Sequence, residues 1–167
     1  MTNFNEHALE MSIMQLFKEQ GYTYISGDQI HRERTEVLLA DDLKQYLYYR
    51  YAKDGITPSE VDSIILMLRN TSGTLYEANK AIYKMLCDGF IFNREDRTQK
   101  DIFIELIDFE NPENNIFKAV NQFEIVGMNN QMRIPDGIVF VNGIPVVVLE
   151  FKSAIKENTT IMDAYTQ

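Results

Sequence analysis

The stretch that decides the fold is IPDGIVFVNGIPVVVLEFKS, which runs from Ile134 to Ser153. Two runs of β-branched and aromatic residues flank Asn142-Gly143, a dipeptide that is the strongest short-range signal for a β-hairpin. Both runs are apolar at nearly every position, which predicts strands covered on both faces. Pro145 lies near the start of the second run, where a strand tolerates proline best. The stretch therefore predicts a buried hairpin.

Charged residues lie at the open end of this hairpin. Asp136 follows Pro135, and thirteen residues later the sequence reads Glu150-Phe151-Lys152. Two carboxylates that are close in space hold a hard divalent cation such as Mg²⁺ through oxygen ligands. Glu150 and Lys152 stand two positions apart on a strand, so their side chains share one face. A lysine there can orient a metal-activated water and offset charge on a phosphate, which is the chemistry of the PD-(D/E)xK nuclease signature.

Asp136 and Glu150 can present their carboxylates on the same face only if the hairpin has a particular register. With a plain two-residue turn, Asp136 faces Leu149 and its side chain points away from that of Glu150. A three-residue loop with Gly143 as a G1 bulge shifts the register by one residue, and both carboxylates then lie on one face. We therefore predict a bulge at Gly143, or an equivalent irregularity near Asp136.

A purely structural interpretation of the same residues stays open. In it, Asp136 caps the turn that follows Pro135, while Glu150 and Lys152 form a surface ion pair. Against it, Glu150 and Lys152 end an apolar run that should be buried, and uncompensated burial of charge is expensive. Charges in such a position favour a functional site.

Outward from the hairpin, the chain divides into three parts. Residues 1–30 contain the first core helix and a connection, residues 31–95 form a helical insertion, and residues 96–167 hold the sheet, the hairpin and a following helix. An apolar stripe marks the first helix: Leu9, Ile13, Leu16 and Phe17. We expect a single domain, which 167 residues are enough to build.

The remaining elements follow from local patterns. Helix starts are predicted at three places: Thr35, Pro58 and Leu75. Residues 102–109 and 117–126 have strand composition, and residues 22–25 are either a short strand or a connection. Together with the hairpin, the two longer strands predict a sheet of about four strands. The fold class is therefore α/β.

The composition argues against a nucleic-acid partner, although the charged residues of the hairpin favour one. The net charge of −9, from 25 acidic and 16 basic residues, opposes binding to nucleic acid, because phosphate binding normally uses a basic surface. The single cysteine, Cys87, excludes an internal disulfide. Neither a signal peptide nor a long apolar run is visible, so we expect a cytoplasmic protein with no membrane partner.

Three segments carry a resemblance to a known family. RIPDGIVFVNGIPVVVLEFKSA, residues 133–154, closely resembles the catalytic hairpin of the N-terminal nuclease domain of type I restriction enzyme R subunits, roughly PDxxxFVNGxPxxxxExK. LIDFENPENNIFKAVNQFEIVG, residues 106–127, resembles the segment before that hairpin, and FNEHALEMSIMQLFKEQGYTYISG, residues 4–27, resembles the opening helix. The resemblance implies a restriction-endonuclease-like core, a mixed central sheet of about four strands flanked by helices, with a helical insertion.

The resemblance also implies roles for individual residues. Asp136 and Glu150 correspond to metal ligands, and Lys152 corresponds to the catalytic lysine. The implied cofactor is Mg²⁺, for which Mn²⁺ can substitute. Related nucleases place a further acidic residue of the first helix near the metal. Glu10 is our choice for it and Glu6, one turn earlier, is its rival; an ordinary solvated helix charge is the alternative for either.

Two further features concern the end of the sequence. Gln167 matches the glutamine of a Q-x-x-x-Y motif that follows the hairpin in this nuclease lineage and supports the active site or its DNA contact. The sequence contains no G-x-x-x-x-G-K-[ST] phosphate loop. We therefore expect ATP to act only in the motor domains that full-length R subunits carry beyond these residues.

The resemblance implies a DNA endonuclease within an ATP-dependent type I restriction-modification complex. Its partners are then double-stranded DNA and, through the full-length protein, the methyltransferase and specificity subunits. Two alternatives stay open: a non-catalytic docking module of the R subunit, and a stand-alone RecB-like nuclease. Because of the net charge of −9, we expect this stretch by itself to bind DNA weakly.

Overall fold

The computed structural model of the chain describes residues 6–127 and 129–151. These residues form four α-helices: α1 Glu6–Glu19, α2 Ala40–Arg50, α3 Pro58–Arg69 and α4 Leu75–Asp88. They also form eight strands: β1 Thr23–Ser26, β2 Phe90–Phe92, β3 Ile102–Ile104, β4 Phe117–Asn121, β5 Ile125–Val126, β6 Met132–Arg133, β7 Gly137–Val141 and β8 Ile144–Leu149. Two compact units emerge from their contacts. Unit 2 is Leu39–Ile116, and unit 1 comprises the described residues before and after it.

The sheet of unit 1 carries the candidate site. Its strand order is β1-β4-β7-β8, with β1 parallel to β4 and the other neighbours antiparallel. The register pairs Tyr24 with Ala119 and Val120 with Ile138. Helix α1 packs on β1 and β4. The predicted α/β class with a mixed sheet of about four strands is confirmed, and this arrangement is consistent with a restriction-endonuclease-like core.

One of the predicted sheet strands lies elsewhere. Within residues 102–109 only Ile102–Ile104 is a strand, and it pairs with Phe90–Phe92 in a separate two-stranded sheet of unit 2. Its predicted place in the central sheet was wrong, and Thr23–Ser26 occupies that sheet instead. The physical reason is that strand composition reports a preference for extended backbone, while the choice of partner depends on contacts distant in sequence.

The two strands of the hairpin differ in burial. All five residues of β7 are buried, as expected from its composition. In β8, Val146, Val147 and Val148 are 42%, 45% and 60% exposed, so the expectation that both faces of this strand are covered was wrong. Within the described part of the chain, β8 is the last strand of its sheet and has a neighbour on one side only.

Helix α1 buries a different face from the predicted one. Met14 and Glu10 are 1% and 5% exposed, whereas Leu16 of the predicted stripe is 51% exposed. A Cβ at Gly137 would lie 2.5 Å from Cε of Met14, so the absent side chain of this glycine makes room for the methionine on the sheet. The buried face of α1 is therefore centred on Glu10 and Met14, which are one turn apart.

Unit 2 contains the helical insertion. Thr57 and Glu60 form a capping box at the start of α3, with Pro58 in its first turn, so the predicted start is confirmed. The predicted start at Leu75 is also confirmed, whereas α2 begins at Ala40 rather than at Thr35. In the part of the chain that the structure describes, no helix is long and apolar enough to cross a membrane.

Candidate active site

The β7–β8 hairpin has a two-residue turn and a bulge away from it. Val141 pairs with Ile144 across Asn142 and Gly143, whose φ values of 51° and 77° are typical of a type I′ turn. The register then shifts, because Phe140 pairs with Pro145 whereas Val139 pairs with Val147. The extra residue between these pairs is Val146. The predicted bulge at Gly143 was wrong in position, since the irregularity lies on β8.

The shift changes the partner of Asp136. The last pair of the ladder is Gly137 with Leu149, so Asp136 and Glu150 are the residues that directly flank this pair, just outside the two strands. Directly opposite residues of antiparallel strands present their side chains on the same face. In addition, Oδ2 of Asp136 accepts a hydrogen bond of 2.6 Å from the backbone N–H of Phe151. Continued one step past the strands, the shifted register would set both carboxylates on one face, as the prediction requires; that arrangement stays a prediction.

Glu10 reaches the same sheet from α1. Its Oε1 atom accepts hydrogen bonds from the side-chain amides of Asn121, at 2.8 Å, and Gln122, at 3.2 Å. The hydroxyl of Tyr24 on β1 donates to Oδ1 of Asn121 at 3.1 Å, which fixes the orientation of that amide. Glu6 is exposed, whereas Glu10 is buried. The alternative of a solvated helix charge was therefore wrong for Glu10 and fits Glu6.

These residues lie at one end of the sheet. Asn121 is the last residue of β4, and the β4–β7 register sets it opposite Gly137, next to Asp136. At the other end of α1, the ring of Phe17 packs on Tyr22, which packs on Phe117, the first residue of β4. Helix α1 therefore runs antiparallel to β4. We call the sheet end with Asn121, Asp136 and Glu150 the polar edge.

Arg32 contacts the segment that directly follows β4. The guanidinium of Arg32 lies 3.4 Å from the centroid of the Phe123 ring. Arg32 also donates to the backbone carbonyls of Glu124 and Glu36, the latter at 2.8 Å. Burial lowers the pKa of Arg32, although the carboxylates of Glu124 and Glu36 act in the opposite direction. Nearby, Arg34 forms an ion pair of 2.7 Å with Glu124. The Arg32 contacts are those of a structural residue.

A comparison with known proteins identifies the family. The model of the family described as "Type I restriction enzyme R protein N terminus" matches residues 3–167. The chain belongs to this family. The resemblance that the sequence shows at residues 4–27, 106–127 and 133–154 is thereby confirmed.

Curated relatives of this R protein N-terminal region agree with the assignment. The HindI endonuclease subunit of a type I restriction enzyme from Haemophilus influenzae is 32% identical over 173 residues, which cover 98% of this chain and 16% of the relative. A putative type I restriction enzyme MjaIXP endonuclease subunit from Methanocaldococcus jannaschii is 32% identical over 168 residues, 96% of this chain and 16% of the relative. The chain thus spans a small part of the length of these relatives.

The donor set at the polar edge of this R protein region fits a hard cation. Asp136 and Glu150 offer carboxylate oxygens, and Mg²⁺ characteristically binds one or two carboxylates while keeping several waters. Within residues 6–127 and 129–151, no group of three or more His, Cys, Asp or Glu side chains is arranged to hold a metal. The structure therefore does not bring Glu10 together with Asp136 and Glu150 as one set of ligands.

The structure does not describe two of the predicted site residues. Lys152 and Gln167 lie outside the described residues, as does the helical pattern that precedes Gln167. Their roles stay predictions. Asp136, Glu150 and Glu10 are described, and their roles as metal ligands are treated below as proposals.

Sequence reasoning missed the residues that hold Glu10. Tyr24, Asn121 and Gln122 carry no recognisable motif, and the hydrogen bonds from Asn121 and Gln122 to Glu10 join residues that are 111 and 112 positions apart. A weak signal was present, because Asn121 and Gln122 are polar residues directly after the apolar pair Ala119-Val120. Polar side chains at the end of a buried strand are candidates for a site. The same reasoning singled out Glu150, but its premise was wrong there, because Glu150 is exposed at the end of a partly exposed strand.

Proposed function

We propose that this chain is the Mg²⁺-dependent endonuclease domain of a type I restriction enzyme R protein and hydrolyses phosphodiester bonds of DNA. Membership of the R protein N-terminal family and the names of the relatives, which are endonuclease subunits, support a nuclease role. The observation that supports the proposal is the bulge at Val146, because the shifted register ends on Gly137 and Leu149, the residues directly next to Asp136 and Glu150.

In the proposed site, the carboxylates of Asp136 and Glu150 hold Mg²⁺, while Glu10, which the structure does not bring together with them, is the less well supported third ligand. The hydrogen bond from the Phe151 N–H fixes one oxygen of Asp136, so that its carboxylate is oriented before a ligand arrives. Asn121 similarly fixes one oxygen of Glu10. These contacts restrict the side-chain freedom that a flexible carboxylate would otherwise lose on binding.

The chemistry that bound Mg²⁺ supplies in this site is a lowered pKa of a coordinated water and compensation of charge on the phosphate. Lys152, two residues after Glu150, is the proposed catalytic lysine. Its ammonium group orients the attacking water by hydrogen bonding and offsets the negative charge that builds up on the phosphate. Gln167 is the proposed supporting residue of the Q-x-x-x-Y motif.

The proposed substrate is double-stranded DNA, and the proposed partners are the methyltransferase and specificity subunits. A net charge of −9 does not favour binding to a polyanion, so we propose that other parts of the complex bring the DNA to this domain. A cation bound at the polar edge reverses the local sign of the carboxylates that face the phosphate.

Substitution of one carboxylate tests the proposal. Asp136→Asn keeps the shape of the side chain and removes its charge. We expect it to abolish both Mn²⁺ binding by the chain, measured by calorimetry, and DNA cleavage by the complex that contains the intact R protein, while translocation persists. Glu33→Gln, an exposed acid of the same unit, is the matched control and should change neither. Cleavage by Asp136→Asn at the wild-type rate contradicts the proposal.

The competing proposal is a docking module without catalytic activity. The acidic net charge and the exposed Tyr49 and Tyr48, 74% and 37% exposed on α2, favour it. The two proposals differ in the calorimetric experiment. A chain that binds no Mn²⁺, in a complex whose cleavage does not depend on Asp136, supports the docking module.

A further inference from the structure

Helix α4 of unit 2 is amphipathic, but the described residues do not bury it. Helices α2 and α3 bury three and five of their residues, whereas all fourteen residues of α4 are half-buried or exposed in the part of the chain that the structure describes. A helix of this length is only marginally stable in water and depends on tertiary packing of its apolar face. Helix α4 therefore lacks packing over part of that face.

The apolar residues of α4 form two groups. The half-buried group follows helical spacing and consists of Ala78, Ala81, Ile82, Met85 and Leu86. The other group is 68–77% exposed and consists of Leu75, Tyr76 and Tyr83. Tyr76 and Tyr83 are about two helical turns apart, so they lie on the same side of α4. The exposed rings thus form a stripe and are not scattered over the helix.

Strands β2 and β3 extend this apolar stripe. Ile91 and Phe103 are directly opposite each other in the antiparallel pair, so their side chains share a face, and both are more than half exposed. The ring of Phe103 reaches the end of α4, because a Cβ at Gly89, the residue after the helix, would lie 2.7 Å from Cζ of Phe103. We define the α4 surface by its five residues: Leu75, Tyr76, Tyr83, Ile91 and Phe103.

The composition of the α4 surface favours a permanent protein partner. Exposed apolar patches mark interaction sites, and interfaces between parts that stay together are more apolar than transient ones. Nucleic acid is disfavoured, because proteins combine base stacking on aromatic rings with a positively charged groove. Helix α4 has no net charge, since two lysines are balanced by two acidic residues: Glu77, Lys80, Lys84 and Asp88.

Charge and length indicate which protein this partner is. A net charge of −9 makes two copies of the chain repel each other, which disfavours a dimer. The chain matches 16% of the length of each of two curated relatives, so most of such a protein lies outside the matched region. A covalently linked partner has a high effective concentration, so a modest apolar surface is enough to hold it.

We propose that the α4 surface is the docking site for a part of the same R protein that lies outside these 167 residues. The linked part covers the exposed rings of Tyr76 and Tyr83 and completes the packing of α4. Ile91 and Phe103 lie in the same interface. The docking site does not depend on the proposed metal site, and either can exist without the other.

Hydroxyl-radical footprinting of the intact R protein, without DNA or other subunits, tests this docking site. Mass spectrometry then reports the oxidation rate of each tyrosine. We expect Tyr76 and Tyr83 to be oxidised within about twofold of the rate of Tyr46, which is 1% exposed, because the centre of an interface excludes water. Faster oxidation of Tyr76 and Tyr83 overturns the proposal. Their oxidation rates do not depend on whether Asp136 binds a metal.

A charge in the α4 surface should undo the protection. Ile91→Asp in the intact R protein should raise the oxidation rates of Tyr76 and Tyr83 about fivefold, because a buried unpaired charge disrupts an interface. Leu66→Asp is the matched control, since Leu66 is an exposed apolar residue of α3 in the same unit, and it should leave both rates unchanged. Slow oxidation of Tyr46 in both variants confirms that unit 2 is folded. Equal effects of the two substitutions overturn the proposal.

The other partners predict different footprints. Protection that grows with the concentration of the R protein identifies a second copy. Protection that appears only after addition of the methyltransferase subunit, or only after addition of DNA, identifies that partner. Each of these three results overturns docking within one R protein. Protection of Tyr76 and Tyr83 that is the same at every concentration of the R protein alone supports it.

Discussion

The side-chain amide of Asn121 donates a 2.8 Å hydrogen bond to Oε1 of Glu10, although 111 residues separate them along the chain. Both side chains are buried, with 4% and 5% of their surfaces exposed. A carboxylate in such a place depends on its donors, because an unsatisfied buried charge costs far more free energy than an exposed one. The position of Glu10 is therefore set by the end of β4 as much as by its own helix.

The hydroxyl of Tyr24 should contribute to this arrangement. Tyr24→Phe leaves the buried Oδ1 of Asn121 without its donor and should lower the free energy of unfolding by about 1–2 kcal/mol, measured by urea denaturation. Tyr22→Phe is the control, because the described side-chain contacts of Tyr22 are ring contacts with Phe17 and Phe117. Equal effects of the two substitutions would show that the Tyr24 hydrogen bond is dispensable.

Deletion of Val146 should separate the carboxylates. Without the extra residue, the two-residue turn sets Asp136 opposite Leu149, and Glu150 then points to the other face. We expect the deletion to abolish Mn²⁺ binding in calorimetry while circular dichroism still reports strand and helix. Val146→Ala keeps the residue count and should retain binding. Wild-type Mn²⁺ affinity after the deletion would refute the register argument.

Gly27 should tolerate no side chain. Gly27→Ala places a methyl group against the backbone of Gln122, which cannot move aside as a flexible side chain can, so the free energy of unfolding should fall by about 1–3 kcal/mol. Gly127→Ala is the control, since the atom nearest to its Cβ would be Oδ1 of Asn129 at 3.4 Å. Chemical denaturation of both variants measures the difference. A loss at Gly27 no greater than that at Gly127 would contradict the close approach.

Substitution in the buried ion pair of unit 2 should lower the free energy of unfolding more than substitution in an exposed ion pair. Nε of Arg94 lies 2.7 Å from Oε1 of Glu60, and both side chains are almost fully buried. Arg94→Met leaves a buried carboxylate without its cation and should cost about 3–5 kcal/mol in urea denaturation. Lys44→Met breaks the exposed pair with Asp62 and should cost less than about 1 kcal/mol. Similar losses would mean that the Arg94 pair contributes no more than a surface pair.

Acid should destabilise the same unit. Burial raises the pKa of Glu60, but hydrogen bonds from Arg94 and from backbone N–H groups outweigh it, so the net pKa lies below the ordinary 4.5. The amide of Asn114 is the largest cause that lowers the pKa of Asp108 below 3.8. Since both folded pKa values lie below the unfolded ones, their stabilisation is present above about pH 5 and is lost as pH falls through the folded values.

Urea denaturation at pH 7, 5 and 3 measures this dependence. We expect little change between pH 7 and 5 and a clear fall by pH 3. Glu60→Gln should be less stable at pH 7 and should show a shallower fall. A wild-type chain whose unfolding free energy is the same at pH 5 and 3 would show that these carboxylates do not stabilise the fold.

Local chemistry accounts for what the sequence predicted well. The start of α3 depends on Thr57, Pro58 and Glu60, which lie within one helical turn, so their identity determines the cap. The turn at Asn142-Gly143 is equally local, because positive φ at two adjacent residues is what this dipeptide favours. Neither feature needs a distant partner.

Long-range pairing accounts for what the sequence did not predict. The spacing of Asp136 and Glu150 implied that a shift of register is needed for both side chains to share a face. One extra residue produces this shift at any position along the strand, so the spacing did not locate the bulge. Glycine marks only the G1 type of bulge, and the bulge at Val146 has no such marker. The burial of Glu10 likewise arises from contacts with the sheet, which periodicity along one helix does not encode.

The parallel pairing of β1 with β4 has a consequence for synthesis. All of unit 2 lies between these two strands in the sequence, so α1 and β1 leave the ribosome long before β4 exists. At typical elongation rates of about 5–20 residues per second, the interval lasts several seconds, long enough for a small helical unit to fold. Unit 2 should thus be complete while the first helix still exposes Met14 and Glu10, and the polar edge is assembled last.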